Sequence, residues 1–188
     1  YYRLARRLDA VDPDRVRARQ ELGYATGNLC ALGNMERRPD VGICEIALTY
    51  AERSARDRNH DRGSMVDLGM RHAWLAAALE RTGDLPGALR HYEQRSAIAN
   101  QLAAADHRDM FIEEQKLSTL TSIVRIHVRL GDQAAARRRA DEARAVAARL
   151  LAHDPENARW RRFAALINPS LEGRFATTED PRAWKANR

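Results

Sequence analysis

The chain of 188 residues is 44% hydrophobic but only 6% aromatic, with a formal net charge of +6. Ala and Leu therefore supply most of the apolar surface, which suits closely packed helices, while Val, Ile and Thr are too sparse to build a sheet. The longest apolar runs, such as Trp74 to Leu79, fall far short of the roughly 20 residues a membrane-spanning helix requires, so no membrane partner is expected.

Helical periodicity predicts helices at about 1–11, 14–33, 41–59, 64–82, 85–105, 109–130, 133–152 and 156–167. The first opens at Tyr1 without an initiator Met, as expected for a segment from inside a longer protein, and targeting is unreadable. Asp12-Pro13 punctuates the passage to the second helix. After it, Gly33 to Pro39 is expected to form a longer turn or a further stretch of helix. Cys30 and Cys44 are too few for a disulfide scaffold and lack CxxC spacing, so both are read as reduced thiols packed as small hydrophobes, in a cytoplasmic setting.

In the fourth helix His72, Leu75, Ala76 and Leu79 recur at helical spacing. Gly83 then takes the left-handed conformation that ends a helix, Asp84 caps the next, and Pro86 is tolerated in its first turn. The fifth helix presents Ala88, Tyr92, Arg95 or Ser96, Ala99 and Leu102 on one face. Asp109 caps the sixth, which carries Leu117, Leu120, Ile123, Val124 and His127. Gly131-Asp132 repeats the earlier turn 48 residues later, and Ala136, Ala140, Ala143, Ala147 and Leu150 follow on the seventh helix. Ala at the matched positions 88 and 136 lets a neighbouring helix approach closely. Asp154-Pro155 opens the last helix, and beyond Asn168-Pro169 an irregular tail at 168–188 is expected, with Phe175 and Trp184 as anchors.

These residues resemble a tetratricopeptide repeat array. Leu22-Gly23 match the family's first-helix pair, and Gly83-Asp84-Ala88-Tyr92 its turn and second helix. Gly131-Asp132-Ala136-Ala140-Ala143 repeat that turn and helix, and Pro155-Trp160-Phe163-Ala164 open a truncated unit. The 48-residue period exceeds the family's usual one of about 34, as in divergent bacterial arrays whose units end in Leu-Ala-x-x-Asp-Pro-x-Asn-x-x-Trp, a pattern that residues 151–160 fit. The resemblance implies an all-α fold, a right-handed superhelical array of antiparallel helix hairpins. It covers residues 1–167: a partial unit at 1–11, units at about 12–62, 63–106 and 107–153, and a partial unit at 154–167.

Such arrays resemble parts of larger bacterial signalling or regulatory proteins. The implied activity is non-catalytic binding of a protein or peptide partner in a concave groove. Carried over by position, groove residues are Gln20, Tyr24 and Asn28, then Ala73, Ala77 and Arg81, then Thr121, Arg125 and Val128, and Arg161. Arg predominates among their charges, which favours an acidic partner because a guanidinium pairs bidentately with a carboxylate. The competing expectations are nucleic-acid binding through outer basic faces, a sensor pocket for a peptide or small molecule, and self-association through the terminal helices.

Enzymatic signatures are missing. His107-Arg108-Asp109 spells a kinase catalytic-loop triplet, but Glu114 stands where that motif needs a magnesium-holding Asn. The six His residues include no pair at i,i+4 with Glu between them, there is no Gly-x-Ser-x-Gly elbow, and His127 reads as a satisfied interhelical histidine. No catalytic residue, metal or cofactor is assigned. Arg137-Arg138-Arg139 reads as a solvated face partly paired with Asp141 or Glu142.

Overall fold

A computed structural model describes residues 2, 3, 7, 16–106 and 108–167. Of the expected first helix only Tyr2, Arg3 and Arg7 are described, each helical, while His107 and the 168–188 tail with Phe175 and Trp184 lie outside the described residues. Among the described residues the chain is all-helical: α1 (Val16–Met35), α2 (Val41–Asp57), α3 (Arg62–Thr82), α4 (Leu85–Ala105), α5 (Met110–Leu130), α6 (Gln133–His153) and α7 (Ala158–Leu166).

The helix starts are written in single residues. Asp40, Asp61, Asp84, Asp109, Asp132 and Asn157 each accept a hydrogen bond from the backbone N–H three residues on, at 2.7–3.2 Å. Each such cap satisfies a donor that the helix cannot, worth about 1 kcal/mol. The two glycine turns behave as the sequence implies: Gly83 and Gly131 hold φ of 93° and 79°. Asp84 N–H returns to Leu79 O and Asp132 N–H to His127 O, both at 2.9 Å, closing the exposed helix ends.

Three boundaries differ from the sequence reading. The helix expected at 14–33 runs on to Met35 and closes through Arg37, a non-glycine residue at φ 60°. The helix expected to reach residue 59 stops at Asp57, because Asn59 and His60 turn left-handed at φ 51° and 54°, a region both residue types enter more readily than most. The next helix then starts at Arg62, two residues earlier than its periodicity suggests, because Asp61 caps it.

The chain divides into two compact units, Tyr1–Asp106 and His107–Arg188. In the first, α1 packs on α2, α2 on α3 and α3 on α4, and α1 also reaches α3. Cys30, Cys44, Leu48, Leu75 and Ala78 form its buried cluster. Cys30 and Cys44 are joined in a disulfide, which corrects the expectation of reduced thiols and removes the support that free thiols lent to a cytoplasmic location. The physical reason lies in the packing of α1 against α2, which sets the two Cα atoms 4.9 Å apart. Along α4, Ala88, Tyr92, Ser96 and Ala99 are buried as expected, and Ala103 rather than Leu102 continues the stripe.

In the second unit α5 packs on α6, α6 on α7, and α5 on α7. Leu117, Leu120, Val124, Ala143, Val146, Leu150 and Trp160 make one core, and all five residues expected on the α6 face are buried. Trp160 tethers α7 by donating its indole N–H to Glu114 at 2.8 Å. Glu113, 6% exposed, accepts two hydrogen bonds from Arg149 at 2.6 and 3.2 Å and an ion pair from Lys116 at 3.3 Å, so its buried charge is matched.

Candidate functional site

The first unit holds a cavity of about 650 Å³ between α1, α2 and α3. That lies inside the roughly 300–1,000 Å³ range of small-ligand and side-chain sites. Gln20 and Tyr24 line it from α1, Tyr50 and Arg53 from α2, and Ser64, Asp67 and Arg71 from α3. Four arginines, at 19, 53, 58 and 71, face two aspartates, at 57 and 67. The wall is thus net cationic.

Arg71 is the unusual member. Its side chain is only 5% exposed, yet it is charged at any ordinary pH. Nη2 pairs with Asp67 Oδ1 at 2.9 Å, and the guanidinium lies 4.6 Å from the centre of the Trp74 ring. Nε and Nη1 have no hydrogen-bond partner. Burial pulls the guanidinium below its ordinary titration range, while Asp67 and Tyr24 pull it back up. The group fits only because residue 27 is glycine: a Cβ there would stand 1.9 Å from Nη1. Gly27 in the middle of α1 is therefore the seat of Arg71, at a cost to the helix of about 1 kcal/mol relative to Ala.

The remaining polar wall is largely anchored in the fold. Arg58 holds Asp61 at 2.8 Å, and the Ser64 hydroxyl donates to Asp61 O at 3.0 Å. Hydrogen bonds from the Ser64 N–H and hydroxyl, and then Arg58, hold the Asp61 carboxyl below the usual carboxylate range. The lining offers donors and cations, an arrangement that suits holding an anion.

The sequence-derived groove residues divide. Gln20 and Tyr24 line the cavity, Tyr24 with 56% of its surface exposed. Asn28 and Arg81 are exposed, and Ala73 and Ala77 half-buried, in the same unit without lining it. In the second unit Thr121 is 5% exposed and its hydroxyl donates to Leu117 O at 2.8 Å, satisfied within its own helix. Val128 packs against the core cluster, Arg125 is half-buried, and Arg161 pairs with Glu156 at 3.1 Å. His127 faces Asp132 at 3.7 Å across the turn. Arg139 pairs with Glu142 at 2.9 Å, and Arg144 pairs with Asp141.

Sequence reasoning missed Arg71, Arg53, Tyr50 and Gly27. A signal for two of them was present: glycine inside a helical run marks a close approach, and Asp67 precedes Arg71 at i,i+4. Among the described residues no cluster of three or more His, Cys, Asp or Glu is arranged to hold a metal ion, and no helix is long and apolar enough to cross a membrane. No protein-family model, curated protein or solved structure matches the chain.

Proposed function

We propose that the chain is a non-catalytic recognition module, a divergent tetratricopeptide-like array of antiparallel hairpins within a larger regulatory protein, that binds an acidic segment of a partner protein or peptide. One observation carries this reading: the α1–α2–α3 cavity, where two of the positions implied by the resemblance, Gln20 and Tyr24, meet a wall of four arginines and two aspartates. A carboxylate entering it exchanges water for guanidinium donors in a partly desolvated site, where charge-assisted hydrogen bonds are roughly twice as strong as neutral ones. Exposed Tyr24 adds apolar area for the body of the segment.

Anisotropy of a fluorescein-labelled glutamate-rich dodecapeptide tests the reading. Wild type should bind it, and Arg53→Glu should weaken binding several-fold with helicity unchanged, whereas Arg81→Glu, outside the cavity, should have little effect. Equal affinity of wild type and Arg53→Glu would reject the cavity as the site. A labelled DNA duplex in the same assay separates the nucleic-acid alternative, whose log affinity must fall steeply with log salt.

A further inference from the structure

We infer that Arg71 is the specificity-determining anchor of the α1–α2–α3 cavity, and that it takes a single oxyanion, a carboxylate or phosphate ester on a partner side chain. This rests on the proposed recognition function and names the group recognised. Three observations converge. Arg71 is among the residues lining the cavity although its side chain is 95% buried, the complement of its 5% exposure. Two of its three nitrogens have no acceptor, and an unpaired buried N–H normally costs enough to be selected away. Its seat is made by Gly27, which presents backbone where any side chain would displace it.

Besides its contact with the Trp74 ring, Arg71 is paired less fully than the arginines that pin carboxylates elsewhere in the fold. In the first unit Arg58 satisfies Asp61 through both Nε and Nη2, at 3.0 and 2.8 Å, and in the second Arg149 does the same for Glu113 at 3.2 and 2.6 Å. Arg71 has instead one bond to Asp67, a carboxylate 40% exposed on the same wall. Asp67 is thus a placeholder that water can solvate when it leaves. An entering oxyanion displaces it, and a turn of the guanidinium off its Gly27 seat toward the cavity offers two parallel N–H donors in the fork geometry that carboxylate and phosphate share. Tyr24 and Tyr50 border the approach.

The test follows the Arg71 Nε–Hε resonance by ¹H–¹⁵N correlation spectra. The probes are N-acetyl-glutamate amide, N-acetyl-phosphoserine amide and inorganic phosphate, with N-acetyl-glutamine amide as the uncharged control. Saturable shifts with the glutamate or phosphoserine probe, at least tenfold tighter than any with glutamine, are expected, and whichever binds more tightly identifies the side chain. Inorganic phosphate saturating as tightly as either would overturn the side-chain assignment in favour of a free anion site. Arg71→Lys, which keeps the charge but loses the fork, should remove the tenfold advantage as read by resonances of cavity residues, and so should Arg71→Gln, which loses both charge and fork. If both variants remain folded and the labelled glutamate-rich dodecapeptide still binds them as it binds wild type, the anchor is wrong while the broader reading stands. No binding of any anion or of the dodecapeptide to wild type overturns both.

Discussion

Reducing the Cys30–Cys44 disulfide is the perturbation whose size follows most directly from the fold. The bridge joins residues 14 apart in sequence, pins α1 to α2, and lies in the buried cluster of the first unit. Closing a loop of this length restricts the unfolded chain by about 3 kcal/mol in the chain-entropy model. Urea slopes of about 1–3 kcal/mol per molar turn this into a drop in midpoint of about 1–3 M. Circular dichroism should show one transition moving by that amount with reductant. The transition of the second unit, which has no cysteine, should stay in place. Alkylation in urea without reductant, followed by intact mass, should leave both sulfurs unmodified. Coincident curves with and without reductant, or alkylation of both cysteines, would refute the reasoning.

Ala88→Leu and Ala136→Leu place a large side chain where Ala is 0% and 4% exposed, and each should destabilise its unit by about 1–3 kcal/mol in urea unfolding. Gly27→Ala should change stability by less than about 2 kcal/mol. Helix propensity gains ~1 kcal/mol, offset by the loss of the ion pair with Asp67, whose side chain is 40% exposed, up to ~1 kcal/mol, and of the contact with Trp74, ~0.5–2 kcal/mol. Trp74 fluorescence should nevertheless shift as the guanidinium leaves its ring.

The His72 and His91 Nδ1 atoms lie 3.0 Å apart between α3 and α4. Burial, then the neighbouring imidazole, lowers His72 from 6.5 to about 4. Burial, then Arg90, lowers His91, against the pull of Glu45, Glu52 and Asp84. The unfolded chain therefore takes up protons before the folded one does. Stability should be full above pH 6.5 and decline as the pH falls toward about 4. His72→Gln should flatten that slope in thermal melts across this range; an unchanged slope would contradict it.

The parts of the fold legible in the sequence are those set by neighbours along the chain. Asp84 and Asp132 announce their caps because the bonded N–H is three residues away, and Gly83 and Gly131 their turns because the strain is local. The α6 stripe followed from periodicity alone. What escaped depends on residues brought together from different helices. The Cys30–Cys44 bond needs the pitch of α1 against α2, and the Arg71 site needs a gap in α1 opposite a guanidinium on α3.

The most direct test of the recognition account is chemical-shift mapping of ¹⁵N-labelled protein titrated with the glutamate-rich dodecapeptide. The account predicts saturable shifts concentrated on Gln20, Tyr24, Arg53, Ser64 and Arg71 in the first unit. Shifts concentrated instead on the second unit, around Arg125 or Arg161, or spread evenly over both, would contradict it.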